Sequence, residues 1–203
     1  MKTNILKKIE YIIETFKELG NLSGDKLKKG QRLYRSDKDN FTKVNGRVFY
    51  NAITKIKEND INKLNKGLPY KGLNTLSVYG VSEYKKMKCF LGKNNSSGYA
   101  IAHGNELVSV FSSQKSSADA IMVSAVNNGV KYLDCYAQRN PKTKKISGPL
   151  YNLYLKYGFK INTSLNTGKK GDPYSIVDGV SDYVDDKGKV QKDDLRVVVF
   201  MIK

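Results

Sequence analysis

The hydrophobic pattern changes period at residue 76, and that change limits the folds open to the chain. Before it, the spacing is helical. Ile5, Ile9, Ile12, Ile13, Phe16 and Leu19 recur at i, i+3/i+4 with Lys and Glu on the other face, which predicts an amphipathic helix over 3–19. Thr3 can cap its start and Gly20 its end. Residues 21–31 read as a loop and RLYRS, 32–36, as a short strand. A weaker helical pattern over 47–66 closes at Gly67 and Pro69. From residue 76 alternation takes over in LSVYGV (76–81), MKCFLG (87–92), SGYAIAH (97–103) and ELVSVFS (106–112). The last three runs are joined by KNNS and GN, turns of hairpin chemistry. Helical spacing returns in 117–129, with Gly129 as C-cap, and in 148–159 up to Gly158. KYLDCYA (131–137), residues 160–165 and LRVVVFMI (195–202) read as strands, the last two separated by a Gly-, Asp- and Lys-rich connection at 167–194. This order predicts an α/β domain over 76–203, a mixed but mostly antiparallel sheet with flanking helices. A basic, helix-containing region over 1–75 precedes it.

Composition excludes several classes. At 203 residues and 39% apolar content, with 14 Tyr and 7 Phe, the chain can fill a sizeable core. No apolar run approaches the ~20 residues of a membrane-spanning helix, so no membrane partner is expected. The first residues are basic, but Lys7, Lys8, Glu10 and Glu14 interrupt any apolar stretch, so they do not read as a secretory signal. Cys89 and Cys135 are the only cysteines, which fits a reduced, cytoplasmic setting better than a disulfide scaffold. His103 is the only histidine, and no metal site is expected.

The chain carries 36 Lys and Arg against 19 Asp and Glu, a net +17. Most of the excess lies between Lys26 and Lys71, where Arg32 and Arg35 are among the basic residues and Tyr34, Phe41, Phe49, Tyr50 and Tyr70 are interleaved. Cations neutralise phosphates and aromatic faces stack on bases, so a nucleic acid or other polyanion is one expected partner. A lysine-rich solvated surface produced by coding bias explains the same numbers. A second basic group, Arg139, Lys142, Lys144 and Lys145, follows KYLDCYA.

From Met87 to Phe159 the chain resembles the GCN5-related N-acetyltransferase (GNAT) superfamily, and within it GNAT-like proteins of phages and prophages. Three features carry the resemblance: the hairpin meander ending in ELVSVFS followed by a small-residue loop and a helix, the KYLDCYA strand, and LYLKYGF at 153–159. The resemblance implies acetyl-CoA or another acyl-CoA as cosubstrate. The strand lies beside the pantetheine arm, and the loop and helix start hold the pyrophosphate on unpaired N–H groups. It would assign that contact to Val110, Phe111, Ser112, Gln114, Ser116, Ser117 and Ala118. The family loop is usually Arg/Gln-x-x-Gly-x-Gly/Ala, whereas SSQKSSADA (112–120) holds no glycine. Gln114 at the first position leaves Ser117 and Asp119 in place of glycines; alternatively Ser113, Ser116 and Ala118 fill the pattern.

Tyr154 stands at the family's tyrosine, which protonates the departing coenzyme A thiolate. Glu106 or Asp134 would take the proton of the attacking amine. An acid inside the apolar run 131–137 is costly unless partnered, at a strand end or functional. The basic group 139–145 would border the site. The resemblance thus implies an acyl-CoA-dependent N-acyltransferase acting on a nucleic acid, an aminoacyl-tRNA or a protein amine in the cytoplasm of a bacterial host, with pairing into a homodimer open. The alternative is a non-catalytic GNAT-like protein, nucleic-acid-binding or virion-associated.

Overall fold

The structure, a computed structural model, describes residues 41–69, 72, 76–113, 117–168, 175–184 and 195–203. The helix expected over 3–19, the RLYRS strand with Arg32 and Arg35, and the loop residues Gln114 and Ser116 lie outside the described residues. The chain divides into two compact units, 1–130 and 131–203. Both belong to the α/β class.

In the first unit, β1 (Phe41–Val44), β2 (Lys88–Gly92), β3 (Ser97–Ala102) and β4 (Glu106–Ser112) pair in order, every ladder antiparallel. Two helices, α1 (Gly46–Asn65) and α2 (Val81–Tyr84), lie between β1 and β2, and α3 (Ser117–Asn127) follows β4. The register sets Val44, Cys89, Ala100 and Val108 on one sheet face. There they pack with Phe49 and Ile53 of α1 and Tyr84 of α2. The opposite face meets α3. The Tyr99 hydroxyl and Ser124 Oγ are 2.7 Å apart, and Asn128 Nδ2 donates to the same Tyr99 oxygen at 3.1 Å. Phe90 stacks on the Tyr99 ring with centroids 4.9 Å apart.

The strand expected at 76–81 is not there. Residues 76–80 join no ladder and Val81–Tyr84 turns as a helix. The cause is local. The Gly80 N–H donates to Glu83 Oε2 at 2.7 Å while Glu83 and Tyr84 donate back to the Gly80 carbonyl, a helix start closed on itself. Leu76 and Val78 still pack on the core, but by contact and not by pairing. The β1 strand, not expected from the sequence, is four residues long, too short to show a period.

In the second unit β9 (Arg196–Ile202) pairs antiparallel with β5 (Tyr132–Arg139) along seven residues. Its other edge takes β7 (Lys160–Ile161) and β8 (Val180–Asp182), while β6 (Ile146–Ser147) pairs with the end of β5. The expected strand over 160–165 is thus only two residues long, and the 167–194 connection contains β8. Leu133, Cys135, Ala137, Val197, Val199 and Met201 form the buried face, covered by Leu153 and Tyr154 of α4 (Pro149–Lys156).

Glycine ends each of the three longer helices by one mechanism. Gly67, Gly129 and Gly158 have φ of +65°, +89° and +84°. After each, the next N–H reaches back to a helix carbonyl: Leu68 to Lys63 at 2.9 Å, Val130 to Ala125 at 3.1 Å and Phe159 to Tyr154 at 3.2 Å. This is the Schellman arrangement, which needs a left-handed residue at its turn. The Gly-Phe pair that carries part of the family resemblance therefore has a structural duty of its own. It stops α4 and drops Phe159 into the core with its ring 6.3 Å from that of Tyr154. Gly158→Ala is expected to cost about 1–2 kcal/mol through the left-handed backbone alone. In a chain of this length that lowers the melting temperature by roughly 2–8 °C in a calorimetric scan.

Candidate functional site

The first candidate element is an irregularity in β4. Ala100 pairs with Val108 and Gly98 with Phe111, so Ser109 and Val110 together stand opposite Tyr99. This is a β-bulge, one extra residue in one strand. Regular alternation would have sent Phe111 to the face opposite Val108. The bulge turns it back, and Phe111 packs with its ring 5.7 Å from Phe49. Ser109 has φ of +52°, a conformation that a residue with a side chain holds only when its surroundings impose it. Those surroundings are visible. Ser109 Oγ lies 2.8 Å from the Tyr84 hydroxyl, which also accepts the Tyr79 N–H at 3.2 Å. Tyr84 is fully buried, and that burial raises its pKa above the ordinary phenol value, outweighing the Ser109 and Tyr79 hydrogen bonds.

Around this bulge the expected cosubstrate residues sort themselves. Glu106 opens β4, half-buried, opposite Ala102. Val110 is half-buried beside Ser109, whereas the Phe111 side chain belongs to the core and leaves only its backbone to a ligand. Ser112 closes the strand, and the Ser117 hydroxyl at the start of α3 donates to its Oγ. Ala118 and Asp119 occupy the first turn of α3. An acid there suits the helix dipole.

In the second unit Tyr154 is buried on the covered face. Desolvation, with Cys135 and Asp134 adding to it, holds its phenol well above the ordinary value. It keeps its proton throughout the physiological range. Desolvation pushes the Cys135 thiol up to about 12 and the Cys89 thiol up to about 11, so neither is poised as a nucleophile.

Asp134 stands on the other face of β5. Burial alternates along the strand, with Leu133, Cys135 and Ala137 inside and Tyr132, Asp134 and Tyr136 outside. The second unit therefore does not set Asp134 and Tyr154 on one side of the sheet. Although Asp134 is at the surface, desolvation raises its pKa, opposed by a hydrogen bond to its own backbone. The sign follows. The folded chain binds the Asp134 proton more tightly than the unfolded chain, so this carboxylate's penalty grows as pH rises through the folded pKa. Asp134→Asn is expected to raise the melting temperature at pH 7, and the gain should vanish in acid where both states carry the proton.

Arg139 ends β5, and Lys142, Lys144 and Lys145 form the exposed β5–β6 turn. Asn140 builds that turn: its Oδ1 accepts the N–H groups of Lys142 and Thr143, both at 2.9 Å. Arg139 is committed to Asp182 at 3.2 Å. Lys144 and Lys145 line a groove of about 560 Å³ with Ser147, Tyr151, Asn152 and Leu155. Among the described residues, no group of three or more His, Cys, Asp or Glu could hold a metal ion. No described helix is long and apolar enough to cross a membrane.

The outward face of β5 follows from plain alternation of Tyr132, Asp134 and Tyr136 with Leu133, Cys135 and Ala137, whereas the bulge is nearly silent in the sequence. The one available hint was ELVSVFS itself, where strict alternation would pair Leu107 and Phe111 with the polar Ser109 on one face. No family model, no curated protein and no solved structure matches the chain.

Proposed function

We propose that the chain is an acyl-CoA-dependent N-acyltransferase whose acceptor amine is carried on a polyanion. The observation that supports this most is the Ser109–Val110 bulge in β4. Bulges re-aim groups next to active sites, and this one falls in the strand that the family resemblance assigns to the pantetheine arm. A left-handed serine there, held by a buried tyrosine, is a maintained feature and not a loose end. The loop lacks glycine, but its serines are small, and α3 offers its N-terminal N–H groups to an anion.

In this reading the acceptor nitrogen forms a bond to the thioester carbonyl carbon and the carbon–sulfur bond breaks. The Tyr154 phenol gives its proton to the leaving thiolate. Glu106 takes the proton lost by the amine. Asp134, the other candidate base, lies on the face of β5 away from the one that Tyr154 covers. The net +17 favours an acceptor on a polyanion over a small cation.

A thermal shift with coenzyme A tests the reading. A ligand at 100 times its Kd stabilises the folded chain by about 2.7 kcal/mol. The expected result is a clear rise in melting temperature, kept in Tyr154→Phe and lost in Ser117→Glu, which sets a charge at the start of α3. No shift at millimolar coenzyme A would overturn it.

A further inference from the structure

The open face of the second unit's sheet is made of aromatic rings with cations at its border. Tyr132, Asp134 and Tyr136 lie on it by strand alternation. The register with β9 sets Phe200 opposite Asp134 and Val198 opposite Tyr136. Ser181 pairs with Val198, which carries Tyr183 to the same face. The Tyr183 ring meets the Tyr136 ring at 5.7 Å, and the Arg196 guanidinium sits 3.8 Å from the Tyr183 centroid. Tyr136 is 61% exposed and Tyr132 40%. Beside these ring contacts, the two tyrosines that flank the Asp134 carboxylate keep much of their surface exposed.

We propose that this face binds single-stranded nucleic acid, with bases stacking on Tyr136 and Tyr132 and the Asp134 carboxylate accepting hydrogen bonds from base amino groups. Rings of this kind stack on any base because every base has a π-face. Among the described residues of 131–203 there are nine Lys and Arg against three Asp, so the surroundings attract phosphates. Arg196 and Lys160, on the same face by register, are placed to neutralise them. A carboxylate accepts from the amino group of cytosine and likewise from those of adenine and guanine, and thymine has none.

The same surface suits a second copy of the chain poorly. Two chains of net +17 repel each other. Burying Asp134 against protein would also require a cation to meet it. The inference deepens the acceptor half of the proposed function, on which it rests only for the partner's role. The binding residues are separate from those proposed for acyl transfer.

Fluorescence anisotropy of the full chain with labelled short oligo-dC, oligo-dA and oligo-dT tests it. Oligo-dC and oligo-dA are expected to bind more tightly than oligo-dT, with affinity falling steeply as salt rises. Tyr136→Ala should weaken binding by about 5- to 150-fold, the range of one lost base stack. Tyr136 is mostly exposed and meets the Tyr183 ring, so that variant should fold and melt within a few degrees of the wild type. Asp134→Asn should narrow the preference for amino-bearing bases while the overall affinity holds or rises. Unchanged affinity in both Tyr136→Ala and Tyr132→Ala would overturn the proposal, as would equal binding of all three oligonucleotides. A wild-type dimer that Tyr136→Ala converts to a monomer with unaltered oligonucleotide affinity would assign the face to self-association and overturn it as well. Coenzyme A binding is read separately, so failure of this face and failure of the acyltransferase reading are distinguishable.

Discussion

Phe49→Ala is expected to be the most damaging truncation in the first unit, at about 3–5 kcal/mol. Phe49 is fully buried in α1, and its ring contacts those of Tyr84 at 5.0 Å and Phe111 at 5.7 Å. Ile53, Cys89, Leu91 and Ala100 are buried around it, so truncation leaves a cavity inside a packed cluster. The melting temperature should fall by roughly 6–20 °C for a chain of this length. The effect reaches beyond volume. Phe111 is brought to Phe49 by the bulge, and Tyr84 holds Ser109 in that bulge by a hydrogen bond. Phe49 thus supports both anchors of the strained serine. Denaturant melts of Phe49→Ala and Phe111→Ala, singly and together, check this. Because the two rings touch, the double variant should cost measurably less than the sum of the singles. Full additivity would mean that the two rings are energetically separate.

Tyr154→Phe is expected to lower kcat by about 10²- to 10⁴-fold, the usual range for loss of a positioned general acid. The assay is thiol release from acetyl-CoA with aminoacyl-tRNA as the acceptor. The substitution keeps the ring in contact with Phe159, so the melting temperature and the coenzyme A thermal shift should stay near the wild type. That separation distinguishes a proton donor from a packing residue. A Tyr154→Phe variant with undiminished kcat would reduce Tyr154 to packing. Glu106→Gln should lower kcat in the same assay and lose the acid limb of the pH–rate profile that a general base imposes.

Helix ends were readable from the sequence because one residue type solves one backbone problem. Gly67, Gly129 and Gly158 were each expected to close a helix, and each does so at positive φ. The hairpins β2–β3 and β3–β4 were readable for a related reason, since short polar turns between alternating runs leave few other connections. Strand pairing was less legible. LSVYGV alternates like a strand, yet its apolar side chains reach the core without a ladder, because the Gly80–Glu83 helix start competes for the backbone. The bulge was illegible, because it depends on Tyr84, distant in sequence, fixing Ser109. Of the candidate site, the residue types on β4, α3 and α4 were foreseen, but not the faces they take. Asp134 was expected as a candidate base working with Tyr154, and strand alternation turns it outward. The same turn creates the aromatic face on which Tyr132 and Tyr136 lie.

Backbone amide resonances of the isotope-labelled chain, followed as coenzyme A is added, test the central claim most directly. The account predicts that the amides of Ser109, Val110 and Ser112 and those of the first turn of α3 shift together and saturate with one affinity. Tyr136 and Asp134, on the open face of the second unit, should stay where they are. Resonances of 108–119 that do not move at millimolar coenzyme A would contradict it.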